Sequence, residues 1–583
     1  MKSDWNPSVS ASSTKPYADW DNADNWSPEG LPTDIAVFAQ ALQTHISFSD
    51  SANSTVDSIE FSEDADSYTL LFGSAKQPAL TLGGAGIFNH SSSQQRFIIA
   101  ARSSGFHDPQ MVFTQSATAG NKDMYYRVGP VSKADYGGGV LSFQQHSNAG
   151  SALFSVWTGA GVPPKKGSTV GGEVAFSDTS SAANAKFVIY GTLGSDGDTF
   201  GNVVFHDNAT AANATFENVG GTVSKGDGGN TQFYGLSTAA LAVFHNKGGT
   251  HASANGGDVA FDAQANAGNG IFYNYAASAA GAYGGVTSFN NNKPYVDAPQ
   301  AASAASGKFI NYGARDGELG GGGHTSFSAR YGSPTAAQAN IDNYGSTLAD
   351  KSSAGHTQFS VTLPSNYFPT AGQSIIHNHP GVKEGCAAGY TSFAMYTSDS
   401  STTDPNAQVP TAGKATIVNR GGYAKNATGG YTVFSNSTTA GEATLIAQGG
   451  VHGGYGGKIA FYDNACGGNA HIVLEGNGEL ELGYHTGPVT VGTLSLTGGI
   501  ISVQLGENTT GLVVSGVLNL NKKTDFSFWV KGSQSIAADT PYTLLVAPNL
   551  LPQHVDLFSG NSVNNLKPTF SIADNTLQVR FSE

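Results

Sequence analysis

The chain has 583 residues, of which 76 are glycine and 12% are charged, and its formal net charge is −15. This acidic balance, without any run of Lys or Arg, argues against nucleic acid and anionic membrane surfaces as partners. Aromatic residues are evenly spread and make up 10% of the chain, which excludes a disordered polymer. Many glycines with regularly placed aromatics predict an all-β chain with many tight turns. No apolar run approaches the length of a membrane span, so membrane insertion is not expected.

Residues 1–105 are predicted to form an N-terminal cap and the first coils of a repeat. The opening decapeptide, MKSDWNPSVS, lacks an apolar segment, so we expect no signal peptide within it. The stretch 17–39 contains Trp20 and Trp26 and does not follow the repeat found later. These tryptophans are expected to fill the core of the cap.

Residues 106–484 contain a repeat of about 28 residues, marked by a Phe in segments of the form GG-x-V/T-x-F. The marker residues are Phe143, Phe176, Phe205, Phe233, Phe261, Phe289, Phe327, Phe359, Phe393, Phe434 and Phe461. Glycine pairs and the alternation V-x-F oppose helical repeats, and the period is too short for a propeller blade. The repeat therefore predicts one right-handed, elongated parallel β-helix with three short strands in each coil.

A second apolar residue follows each marker, and in seven repeats Asn follows two residues later. These are Asn218, Asn246, Asn274, Asn311, Asn343, Asn378 and Asn419. Because stacked coils place like residues over like residues at ~4.8 Å, the markers should form a Phe stack and the asparagines an amide ladder. Both features are predicted to be structural.

Four consecutive repeats are longer than the others at one turn. The spacing from marker to second apolar residue is 11 in the regular repeats, but 20, 14, 17 and 24 after Phe289, Phe327, Phe359 and Phe393. The inserted segments are residues 290–308, 328–340, 360–375 and 394–416. Because the same turn of successive coils lies on one edge, these segments should lie side by side.

The inserted segments differ in content from the regular coils and contain tyrosines, prolines and charged residues, which is typical of loops that bind sugar rings or a protein partner. Growth of the loops without a function is the alternative. The candidate binding residues are Tyr295, Arg330, Tyr331, Tyr367, Phe368, Tyr396 and Asp404.

No catalytic or metal-binding motif emerges from the chain. Asp178, Asp207 and Asp463 recur just after the marker, where we expect solvated turn positions. His377 and His379 flank a ladder Asn and should point outward, but a metal site would need a third ligand. GSDGDTF at 194–200 weakly resembles a calcium-binding turn, so calcium remains a possible cofactor and no other is predicted. The two cysteines, Cys386 and Cys466, are not expected to form a disulfide.

Residues 485–583 are less repetitive and are predicted to be C-terminal coils followed by a β cap. Alternating segments such as YTLLVAP and PTFSIADNTLQVRF indicate strands. A cap is needed because the open end of a β-helix exposes unpaired strand edges.

The stretches YADWDNADNWSPEGLPTDIAVFA, LTLGGAGIFNHSSSQQRFI and TAGEATLIAQGG resemble the passenger domains of bacterial autotransporters and related secreted β-helical surface proteins. The resemblance implies a right-handed parallel β-helix, secretion and display at the bacterial surface. Autotransporters also have a C-terminal translocator barrel, and we do not expect one within the given sequence, whose last residues are LQVRFSE.

Together these patterns predict an extracellular, adhesin-type protein that binds a surface glycan or a protein ligand through its inserted segments, with self-association also open. A polysaccharide lyase or hydrolase on the same fold is the alternative, although no catalytic residue is assigned. A structural spacer or filament subunit is the second alternative.

Overall fold

A computed structural model describes residues 1–7, 16–49, 52–73, 78–100, 109–129, 138–158, 171–192, 200–290, 301–363, 365–397, 408–506, 509, 511–532, 536 and 538–583. The chain divides into two compact units. The first unit comprises Met1–Tyr273 with Ala277–Thr287, and the second comprises Asn274–Ala276 with Ser288–Glu583.

The first unit contains strands β1 to β20, most of β21 and the start of β22, together with one 3-10 helix at Ala23–Asn25. The strands are β1 Lys2–Trp5, β2 Ala18–Asp19, β3 Trp26–Ser27, β4 Ile35–Phe38, β5 His45–Phe48, β6 Ser54–Phe61, β7 Thr69–Phe72, β8 Leu80–Asn89, β9 Gln95–Ile99, β10 Met111–Phe113, β11 Met124–Val128, β12 Val140–Phe143, β13 Leu153–Val156, β14 Glu173–Phe176, β15 Lys186–Ile189, β16 Asn202–Phe205, β17 Thr215–Asn218, β18 Asn230–Phe233, β19 Val243–Asn246, β20 Asp258–Phe261, β21 Ile271–Asn274 and β22 Val286–Asn290.

The second unit contains the ends of β21 and β22, strands β23 to β40, and 3-10 helices at Lys351–Ser353 and Pro552–Leu557. The strands are β23 Lys308–Asn311, β24 His324–Ala329, β25 Asn340–Asn343, β26 His356–Leu363, β27 Ile375–Asn378, β28 Tyr390–Thr397, β29 Thr416–Asn419, β30 Tyr431–Phe434, β31 Thr444–Ala447, β32 Lys458–Phe461, β33 His471–Glu481, β34 Val489–Leu505, β35 Leu512–Leu520, β36 Thr524–Val530, β37 Tyr542–Val546, β38 Phe558–Gly560, β39 Lys567–Ala573 and β40 Thr576–Ser582.

The predicted β-helix is confirmed, because equivalent strands of successive coils pair in parallel within each unit. β16 pairs with β18 with Phe205 opposite Phe233, and β17 pairs with β19 with Phe216 opposite Phe244. The regular coils from Phe143 to Phe261 and the coil at Phe434 each have two four-residue strands. In place of the third strand that we predicted, a single bridging residue lies in the turn, as in the pairing of Thr210 with Thr238.

Two stacks of aromatic rings fill the core of the first unit. The markers Phe143, Phe176, Phe205, Phe233 and Phe261 stack with centroids 4.7 Å apart. A second stack includes Phe154, Phe187, Phe216 and Phe244 at 4.6–4.8 Å. The two stacks meet edge to face, which is a favourable arrangement for aromatic rings. In the second unit the markers from Phe289 to Phe461 form a stack of their own, with spacings of 4.6–5.1 Å.

The asparagines of the second unit form a hydrogen-bonded ladder. The Nδ2 atom of each Asn donates to Oδ1 of the Asn in the next coil, in the order Asn274, Asn311, Asn343, Asn378 and Asn419, at 2.7–2.8 Å. From Asn311 onward, each of these oxygens also accepts from a Thr hydroxyl at 2.9–3.0 Å. The ladder therefore satisfies the wholly buried amide groups from Asn274 to Asn378, and Asn419 ends it.

The two ends of the chain depart from this pattern. At the N-terminus, Trp5 and Trp20 each lie against Trp26, with centroids 5.0 and 4.8 Å from its ring. All three rings are buried, as expected for a cap core. At the C-terminus, β40 pairs antiparallel with both β37 and β39. Trp529 is half-buried and its ring lies 5.1 Å from that of Tyr484.

Candidate binding surface

In the second unit, the first residues of the inserted segments extend the strands that carry the marker Phe residues. β24 has six residues and β26 and β28 have eight, whereas β30 in the next coil has four. The parallel register continues past the markers, with Ala329 opposite Val361 and Val361 opposite Met395. The sequence SVTL at 360–363 alternates with the period of a strand, which explains why this part continues the sheet.

A small hydrophobic cluster lies between the inserted segments. Its buried members are Ala329, Val361, Phe368 and Met395, and Leu363 and Val409 pack against it. The backbone N–H of Phe368 donates to Ser333 Oγ at 3.3 Å, which joins two neighbouring insertions. Because Phe368 is only 8% exposed, its ring packs within this cluster and is not available to a ligand.

The far ends of the insertions are adjacent in the described residues. Ser303, Thr335, Thr370 and Thr411 form a row of parallel bridges, one residue from each of the four lengthened turns. The inserted segments therefore leave the β-helix next to one another. Each rejoins it at its bridging residue, beside the bridging residue of the neighbouring coil.

The outer face of the lengthened strands presents an exposed tyrosine. Tyr396 is opposite Thr362, is 51% exposed, and accepts a hydrogen bond from Gln358 Nε2 at 2.7 Å through its hydroxyl. Gln358 lies four residues before Thr362 on β26, so the Tyr396 ring extends back along the strand. Ser360 lies between them and is buried although it points outward, as expected if the ring lies over it. One face of the ring then remains open to solvent.

Of the other candidate residues, Arg330, Tyr331 and Tyr367 lie within the described part of the chain and are at least partly exposed. Arg330 is exposed and follows Ala329, and its guanidinium lies 5.3 Å from the centroid of the half-buried Tyr331 ring. Tyr367 is 38% exposed, and its backbone N–H donates to Ser365 Oγ. The last two candidates, Tyr295 and Asp404, lie outside the described residues.

A column of stacked rings runs across the same outer face and was not anticipated from the sequence. The rings of His324, His356, Tyr390 and Tyr431 are 4.8–5.0 Å apart and nearly parallel. Their recurrence three residues before each marker could have revealed them. Stacking covers the ring faces and leaves the edges outward, so these rings are poorly suited to hold a sugar. Burial lowers the pKa of His324 to about 3 and raises that of Tyr390 to about 12.

The recurrent aspartates have a structural role in the turns. Asp178 Oδ2 accepts from the backbone N–H of Gln145 at 2.8 Å, and Asp207 Oδ2 accepts from the N–H of Asp178 at 3.1 Å. Asp463 Oδ2 accepts from the N–H of Asn436 at 3.0 Å. Each carboxylate joins its own turn to that of the preceding coil.

The two histidines around Asn378 share a carboxylate. Asp342 Oδ1 lies 3.0 Å from His379 Nε2 and 3.4 Å from His377 Nδ1. Burial alone would raise the pKa of Asp342, but the hydrogen bonds with the two histidines outweigh it and hold the pKa well below its usual range. Among the described residues, no group of three or more His, Cys, Asp or Glu side chains could hold a metal ion.

Comparison with known proteins gives no assignment: no protein-family model matches the chain, and no curated protein does. Within the described residues, no helix is long and apolar enough to cross a membrane.

Proposed function

We propose that this chain is an extracellular, adhesin-type surface protein that binds a glycan on the outer face of its lengthened strands. The binding residues would be Tyr396, Thr362 and Arg330, with Tyr331 and Tyr367 at the border. Phe368 supports them from the hydrophobic cluster.

The observation that supports the proposal most is the orientation of Tyr396. Its hydroxyl is fixed by Gln358 and half of its surface is exposed, whereas the rings of the neighbouring column stack on one another. A fixed aromatic ring with an open face is a suitable platform for a pyranose, and it loses little conformational entropy on binding.

The positive charge of Arg330 supports a ligand contact that extends beyond the ring of Tyr396. Arg330 is exposed and forms no ion pair with a carboxylate among the described residues, in a chain with net charge −15. The ring of Tyr331 beside it restrains the guanidinium. Such a cation can contact the carboxylate or sulfate of an acidic sugar, or the hydroxyls of a neutral one.

A glycan array probed with the full chain tests the proposal, with Tyr396→Ala and Arg330→Ala as variants. The matched control is Tyr423→Ala, because Tyr423 is similarly exposed at 57% but lies in the turn that follows the Asn ladder. We expect Tyr396→Ala to weaken binding about tenfold, the worth of one aromatic contact, and Tyr423→Ala to leave it unchanged.

Three results would contradict the proposal. An array without signal would favour a structural role. Equal binding by the Tyr396→Ala variant would place the ligand elsewhere. Release of new reducing ends or unsaturated uronates from a polysaccharide panel would instead identify an enzyme.

A further inference from the structure

A groove of about 400 Å³ lies in the first unit, beside the end of β8. Phe88 and His90 form one wall, and their rings are 6.4 Å apart and within 7° of parallel. Asn89 lies between them and is buried, so the two rings project from the same outer face. The turns of the next coils line the rest of the groove, which includes Ser151 and Asn184.

The groove arises because β8 continues outward to Asn89 while the following coils turn back earlier. Their turns contain Gly120 and Gly150 in the left-handed region, with φ of 96° and 60°. A Cβ atom on Gly150 would lie 2.1 Å from the carbonyl oxygen of Gly120, so only glycine allows these turns to stack this closely. The Asn121 amide donates to the carbonyl of Asn89 at 2.9 Å and joins the wall to the first turn.

The residues that line the groove suit an uncharged ligand with hydroxyl groups. Phe88 is 39% exposed, which leaves part of its ring free for contact. His90, Ser151 and Asn184 have side chains without a hydrogen-bond partner among the described residues, so they are available as donors and acceptors. No Asp, Glu, Lys or Arg lines the groove.

The polar groups also repeat along the groove. Ser151 and Asn184 occupy equivalent positions in successive coils, and the marker rings of those coils, Phe143 and Phe176, are 4.7 Å apart. A linear sugar chain likewise presents hydroxyls at regular intervals, whereas a compact apolar ligand would leave these groups unpaired.

We propose that this groove binds a short neutral oligosaccharide, with a pyranose ring against Phe88 and its hydroxyls bonded to His90, Ser151 and Asn184. The site is separate from the surface around Tyr396 and does not depend on it. The protein would then have two glycan sites with different preferences.

Isothermal titration calorimetry and saturation-transfer NMR on the full chain test this site, with lactose, N,N′-diacetylchitobiose and cellotriose as probes. We expect saturable binding of at least one probe. Phe88→Ala should weaken it at least about tenfold, the loss expected for one aromatic contact. Leu236→Ala is the matched control, because Leu236 is also an exposed apolar residue of this unit, at 55%, outside the groove.

Asn184→Ala should weaken the same probe several-fold, and it removes no buried group, so folding is retained. Tyr396→Ala should leave binding of this probe unchanged, which separates this site from the proposed function. The proposal is overturned if none of the three probes binds up to millimolar concentration, or if Phe88→Ala binds as the wild type does. Stronger, competitive binding of an acidic disaccharide in the same groove would also overturn it.

Discussion

Asn378 donates its Nδ2 hydrogen to Asn419 Oδ1 at 2.7 Å, whereas Nδ2 of Asn419 has no hydrogen-bond partner among the described residues. The equivalent position of the next coil is Ala447, which offers no side-chain acceptor. The Nδ2 groups within the ladder are therefore hydrogen-bonded, whereas that of the last member, Asn419, is not. Substituting an Asn within the ladder measures what these bonds contribute to stability.

We expect Asn378→Ala to lower the free energy of unfolding by about 2–4 kcal/mol, because the buried Thr391 hydroxyl loses its acceptor and Nδ2 of Asn343 keeps the Tyr390 carbonyl but loses Asn378 Oδ1. Denaturant unfolding followed by circular dichroism measures this change. Asn340→Ala, at an exposed position on β25 in the preceding coil, is the control and should change the free energy by less than about 0.5 kcal/mol. Equal effects of the two variants would show that the ladder contributes nothing specific.

The stacked histidines should make the fold sensitive to acid. Burial lowers the pKa of His324 to about 3 and also lowers that of His356, whereas an unfolded histidine titrates near 6.5. The contribution of the two neutral histidines to the free energy of unfolding is therefore complete above about pH 6.5. It is lost as the pH falls toward their pKa in the folded state, because the unfolded state binds more protons. For His324 the loss is on the order of 2 kcal/mol near pH 5.

The double variant His324→Tyr/His356→Tyr tests this, because Tyr390 and Tyr431 already occupy the same column. It should retain the stack and show a smaller decrease in Tm between pH 7 and pH 5 than the wild type. A decrease as large as that of the wild type would assign the acid sensitivity between pH 7 and pH 5 to groups other than these two histidines.

The turn at Ala337 offers a stabilising substitution. Ala337 has a φ of 46°, in the left-handed region, and equivalent turns have glycine at 372, 413 and 441. The left-handed strain of about 1–2 kcal/mol exceeds the entropic cost of glycine, about 0.5–1 kcal/mol. Ala337→Gly should therefore raise Tm slightly, as measured by calorimetry.

Gly372→Ala should have the opposite effect, because its Cβ would lie 2.8 Å from the carbonyl oxygen of Ala337. A lower Tm for the Ala337→Gly variant, or no change for Gly372→Ala, would contradict this account of the turn.

Phe368→Ala should loosen the inserted segments and leave the coils folded. The ring belongs to a small cluster with Val361 and Met395, apart from the marker stack. We expect faster proteolytic cleavage near residues 365–369 and weaker glycan binding, with far-UV circular dichroism unchanged. Tyr367→Ala removes an exposed neighbouring ring and should not accelerate cleavage. Global unfolding of the Phe368→Ala variant would show that the cluster supports the whole unit.

The β-helix and its two main internal features could be predicted because they repeat: a marker such as Phe359 and an amide such as Asn343 recur at a fixed spacing. The lengthened strands were not predicted, because an increased spacing gives the number of inserted residues and not their conformation. The burial of Phe368 depends on contacts with residues from three coils, and the groove beside Phe88 depends on where β8 ends. Neither is visible in a local pattern.

The ladder from Asn274 to Asn419 also has a direction. Each amide from Asn274 to Asn378 donates toward the C-terminus to the next Asn, so the side-chain dipoles align head to tail, as peptide dipoles do in an α-helix. Each amide polarises the next, and the accumulated positive end lies at Nδ2 of Asn419. A coil could be duplicated or lost within this run without interrupting the alignment, provided that its Asn is copied or removed with it. The length of this unit can therefore vary in steps of one coil during evolution.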